Sequence, residues 1–131
     1  MSHRWAEHTA ELELHLEAAS EEQVFVEALE ALAELLGDGT EGEKVTFDVD
    51  LEAADDAALL AAWIDELVFR AETEDLVPDR IERLSLARGR LVARVCAHRA
   101  APRHVVKGTT YHRLALTRED GGFRACVVLD V

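Results

Sequence analysis

Leu12, Leu14 and Leu16 alternate with Glu11, Glu13 and His15, the period of two that a half-buried strand requires. Ser20 follows, with Gln23 three residues on; this capping box predicts a helix start. Val24, Phe25, Ala28, Leu29, Leu32, Leu35 and Leu36 then recur at helical spacing, and Gly37 and Gly39 supply the stop. Val45, Phe47, Val49 and Leu51 return to alternation and predict a second strand, whose Asp48 and Asp50 should face water. Asp55 or Asp56 can cap a second helix with the apolar face Leu59, Leu60, Trp63, Ile64, Leu67 and Val68. That pattern fades between Glu72 and Asp75, ahead of Pro78.

The remainder is strand-like. Ile81, Leu84 and Leu86 lead into Arg88-Gly89, and Leu91, Ala93, Val95 and Ala97 return, which predicts an antiparallel hairpin. A loop around Ala101-Pro102 precedes a strand from Thr109 to Thr117, where Gly108 hints at a bulge. Glu119-Asp120-Gly121-Gly122 is a turn, and Phe123, Ala125, Val127, Leu129 and Val131 form one face of a last strand. The order is strand, helix, strand, helix, then four strands. Two helices can cover one face of such a sheet. The expectation is therefore an α+β fold, a two-layer sandwich with two helices packed on one face of a mixed, mostly antiparallel sheet of about six strands. A chain of 131 residues fits one domain, spanning 1–131.

Composition narrows what such a domain does. Apolar residues make up 49% of the chain and aromatics 5%, so Leu, Val and Ala must do most of the packing. The formal net charge is −13, which argues against broad nucleic-acid binding, since phosphate contacts need a Lys/Arg surface. A cation or a basic protein surface suits it better; the plainer alternative is that the charge only keeps the protein dispersed. No apolar run approaches the ~18–20 residues of a membrane span, and no targeting segment is visible, which predicts a cytoplasmic protein. Cys96 and Cys126 sit in strand-like runs with no CxxC, and should be free, buried thiols.

Enzyme signatures are lacking: there is no GxSxG, no Walker-type phosphate loop and no GxGxxG after a strand. His3, His8, His15, His98, His104 and His112 form neither HxH nor HExxH, so zinc is not expected. An enzyme built on Glu7, His8, Glu11 and His112 would need these groups to converge in a deep pocket. Glu27, Glu30 and Glu34 stripe one side of the first helix and read as a solvated face. Two acidic places stand apart: the Glu7-His8-Thr9-Ala10-Glu11 run, and Asp130 beside Val131. If the first and last strands are neighbours, Glu11, Asp130 and a C-terminal carboxylate gather hard oxygen ligands suited to calcium or magnesium. Otherwise the C-terminus frays and Asp130 is solvated.

The same stretches resemble the archease family. Its N-terminal motif, D/E-H-T-A-D, is similar to Glu7-His8-Thr9-Ala10-Glu11, and its helix entry to Ser20-Glu21-Glu22-Gln23-Val24-Phe25. Its V-K-A-x-T-Y-H is similar to Val106-Lys107-Gly108-Thr109-Thr110-Tyr111-His112, and its closing D-I or D-V to Asp130-Val131. The likeness runs the length of the chain in matching order. It implies a non-enzymatic protein cofactor of an RtcB-type RNA ligase, which joins RNA ends in tRNA splicing and repair and is activated by guanylylation. It also implies a divalent cation site, calcium ahead of magnesium or manganese, formed by Glu11, Asp130 and Val131. Lys107, Tyr111 and His112 become residues that either contact the ligase or serve the fold. One departure is Glu11 in place of Asp; its extra methylene moves the carboxylate outward, which calcium tolerates better than magnesium does. A metal-binding or chaperone-like module with another protein client is the competing reading.

Overall fold

The computed structural model describes every residue except Thr9, and for His8 the backbone only. Among the described residues the order is β1 (Ser2–His8), β2 (Glu11–Ala18), α1 (Glu21–Leu36), β3 (Lys44–Glu52), α2 (Asp56–Glu74), β4 (Leu76–Ala87), β5 (Arg90–Arg99), β6 (Gly108–Glu119) and β7 (Gly122–Asp130). The class is α+β, as the sequence predicts. The strands divide into two sheets, β1-β2-β7-β6 and β3-β5-β4, and every neighbouring pair is antiparallel.

Local chemistry sets the helix ends. Ser20 caps α1, its side chain accepting from the Gln23 N–H at 3.3 Å, and the Gly37 N–H closes the last turn on the Ala33 carbonyl at 2.9 Å. Asp55, not Asp56, caps α2, accepting from the Ala58 N–H at 2.8 Å. The helices lie against one another and against strands of both sheets. Trp63 of α2 is fully buried and donates its indole N–H to the Phe25 carbonyl of α1 at 3.0 Å. The core around it takes Leu14 and Leu16 from β2, Leu29 and Leu32 from α1, and Val127 and Leu129 from β7.

β1 is a seventh strand, absent from the sequence pattern because its helix-facing side is His3, Trp5 and Glu7 instead of an aliphatic row. Its presence corrects the stripe on α1. Glu27 is not solvated: it is 4% exposed and is hydrogen-bonded to His3 Nδ1, while Glu34 meets His3 Nε2 at 2.9 Å. β4 begins earlier than expected, at Leu76, and carries Pro78 at an edge position where the register shifts, as a residue without an N–H allows. Cys96 and Cys126 are free and only partly buried. Asp48 and Asp50 do face water, paired with Arg94 and Arg90. Among the described residues no helix is long and apolar enough to cross a membrane.

Candidate functional site

The four-stranded sheet has two faces. One packs on the helices through Trp5, Leu14, Leu16, Ala125, Val127 and Leu129. The other carries the residues that alternate with them. Because β2 and β7 pair antiparallel, Glu11 lies directly opposite Asp130, so the two acidic stretches from opposite ends of the sequence meet on one strand pair. Equivalent positions of a cross-strand pair point to the same side of the sheet. The backbone there is held from both flanks. The Lys107 N–H donates to the Asp130 carbonyl at 2.8 Å, and the Val131 N–H donates to the Ala10 carbonyl at 3.2 Å. Glu11 and Val131 are half-buried and Asp130 is exposed, which leaves the carboxylates open to an ion or a partner. Thr9 of the N-terminal motif and the side chain of His8 lie outside the described residues.

Glu7 belongs to the other face, since it pairs with Leu12, whose side points opposite to that of Glu11. Glu7 and Glu11 therefore do not converge, and His112 is exposed on β6.

Gly108 opens β6 opposite Asp130, but the bulge is further along. Thr110 pairs with Val128 and Ala115 with Cys126, so residues 111–114 stand against Val127 alone. Arg113 within this excursion takes a left-handed φ of 58°. In this excursion Tyr111 is 73% exposed, so it does not serve the fold by packing in the core. Lys107 and His112 are exposed as well. Lys107 also borders a groove of about 730 Å³ between α2 and the start of β6, where the Asp65 carboxylate accepts from the Thr109 N–H at 2.8 Å and its hydroxyl at 2.9 Å.

The outer face holds a second group of residues that sequence reasoning missed. Glu13, His15 and Cys126 bring a carboxylate oxygen, an imidazole nitrogen and a sulfur within 4.8 Å of one another. Glu13 is 6% exposed, and Arg113 reaches its Oε2 at 3.1 Å. Burial, reinforced by the Glu13 charge, pushes the Cys126 thiol up from its ordinary pKa. The signal was only latent: Glu13-x-His15 is a same-face pair on a strand, and Cys126 joins it once the β2–β7 register is known.

Comparison with known proteins agrees with the fold. The model of the Archease protein family (MTH1598/TM1083) matches residues 3–131. A protein named archease from Methanopyrus kandleri is 32% identical over 137 residues, covering 95% of this chain and 96% of that relative. The solution structure of protein 1598 of Methanobacterium thermoautotrophicum superposes with a TM-score of 0.71 at 25% identity, over 98% of each chain. The crystal structure of a Thermotoga maritima protein, described as an archease and possible chaperone, gives a TM-score of 0.70 at 23% identity, over 96% of this chain and 94% of that one. The Thermotoga likeness is one of fold.

Proposed function

The chain belongs to the archease family, and from that premise we propose that it is a non-enzymatic protein cofactor promoting guanylylation and turnover of an RtcB-type RNA ligase in the cytoplasm. The observation that supports this reading most directly is the pairing of Glu11 with Asp130 beside Val131. In this reading Glu11 and Asp130 give carboxylate oxygens, and Val131 a main-chain oxygen, to a calcium-type ion. The donor set fits: all are hard oxygens, and the outward carboxylate of Glu11 suits an ion with flexible coordination. When bound, such an ion supplies a fixed positive charge at the edge of an acidic surface. The chain's own part is to hold these groups in register through the Lys107–Asp130 and Ala10–Val131 backbone bonds, and to present the exposed Lys107 beside them.

To promote guanylylation, the protein must bind the reactive conformation of the ligase more tightly than the resting one. Single-turnover guanylylation of the cognate ligase is the direct test. We expect a rate increase with this protein present, reduced at least tenfold by Asp130→Ala. No change in rate at saturating protein would refute the reading. Calcium titration by calorimetry should show binding that weakens in the same variant.

A second reading, a chaperone-like module with another client, has one feature in its favour. Phe69 is 54% exposed and Tyr111 73% exposed, large apolar side chains left at the surface. It predicts suppression of client aggregation that Phe69→Ser and Tyr111→Ser abolish, with ligase guanylylation untouched.

A further inference from the structure

We propose that Glu13, His15 and Cys126 form a second metal site, selective for zinc and separate from the oxygen-rich Glu11/Asp130 pair. A strand's period of two sends the Glu13 and His15 side chains to one face of β2, and the register sets Cys126 of β7 directly across from His15. The three donor atoms lie within 4.8 Å of one another. His15 Nε2 is 3.3 Å from Glu13 Oε1. Nitrogen and oxygen ligands each ~2.0–2.1 Å from a tetrahedral zinc stand roughly 3.3–3.4 Å apart, so this pair already has the ligand spacing.

The two oxygens of Glu13 divide the work. Arg113 holds Oε2 at 3.1 Å, which leaves Oε1 on the His15 side. The wide bulge of β6 and the left-handed backbone of Arg113 bring that guanidinium over the sheet. Arg113 is thus a positioning residue for the carboxylate and not a ligand. Glu13 is deeply buried, so its charge is held in a medium where electrostatic partners count heavily.

The donor types decide the ion. Imidazole, thiolate and carboxylate together suit zinc or cobalt, whereas calcium and magnesium prefer oxygen alone. Three protein ligands leave a fourth position for water or for a group brought by a partner. Binding releases one proton to solvent: the Cys126 thiol gives up its proton, and the sulfur forms the metal–thiolate bond. The bland competitor is an Arg113–Glu13–His15 ion-pair chain beside an uninvolved thiol.

Cobalt(II) titration of the purified protein separates the two. We expect one equivalent to bind with a thiolate-to-cobalt charge-transfer band and the visible absorption of four-coordinate cobalt, both displaced by zinc. Cys126→Ser should abolish the charge-transfer band, and His15→Gln should weaken binding at least tenfold. Cys96→Ser should leave both unchanged. Zinc should also protect Cys126, but not Cys96, of the unaltered protein from alkylation, read by mass spectrometry. This last measurement stands even if a variant fails to fold. No charge-transfer band, a band that survives Cys126→Ser, or equal alkylation of Cys126 with and without zinc would overturn the proposal.

Discussion

His3 ties the first strand to the first helix through both of its ring nitrogens. One ring nitrogen is bonded to Glu27 and the other to Glu34, and both partners are acidic, so the ring is best held when it carries two protons. Burial weighs against the charged ring, but the hydrogen bonds and charges of Glu27 and Glu34 outweigh it and raise the His3 pKa above 6.5. A raised pKa in the folded state means that folding stabilises the protonated form. The contribution is fully present below the unfolded pKa and is lost as pH rises through the folded value. Urea midpoints measured from about pH 5 to about pH 9 should therefore fall for the unaltered protein relative to His3→Gln, with the gap closing at the alkaline end. A gap that is flat with pH would show that His3 acts by shape alone. The same residue explains a failure of sequence reading. Glu27, Glu30 and Glu34 look like a wet helical face, and nothing in α1 tells that a strand carrying His3 will cover Glu27 and reach Glu34 with its other ring nitrogen.

At the scale of elements, the parts that announce themselves locally were legible. The Ser20 and Asp55 caps, the Gly37 stop and the Arg88-Gly89 and Asp120-Gly121 turns depend on residues close in sequence, and all are where the pattern puts them. What escaped depends on partners far away. β1 lacks an aliphatic row, the β6 excursion arises where residues 111–114 part from β7, and the split into two sheets follows from which strands pair. The Glu11–Asp130 pairing was foreseeable as a conditional, given neighbouring strands. The Glu13–His15–Cys126 group required the register itself. The helices are joined by a contact whose cost of removal can be bounded. Trp63 is fully buried and bonded to the Phe25 carbonyl, so Trp63→Ala should destabilise by about 3–5 kcal/mol. Trp63→Phe keeps most of the ring volume and should cost less, about 1–3 kcal/mol, from the lost indole hydrogen bond and the space left by the smaller ring. Chemical denaturation of both variants checks the order; equal losses would mean that the indole hydrogen bond, which both variants remove, carries the whole effect and the ring volume none.

For the molecule as a whole, a net charge of −13 is not spread evenly in its effect. On the open face of the three-stranded sheet, Asp48 and Asp50 are matched by Arg94 and Arg90 at 2.8 and 2.7 Å, and these pairs largely cancel at a distance. Around Glu11 and Asp130, by contrast, two carboxylates share a face at the end of the molecule that the proposed function uses. A basic partner should therefore be drawn to that end. Fields of this kind act mainly on association rate, and salt shortens their reach from about 10 Å at 0.1 M to about 3 Å at 1 M. The association rate with the ligase, measured by stopped flow, should fall about tenfold or more between low and high salt. Asp130→Asn should lower the low-salt rate, while Asp48→Asn, which removes a charge already matched by Arg94, should change it little. If the two variants behave alike, or if the rate ignores salt, then the acidic surface serves dispersal in solution and steering must be dropped from the account.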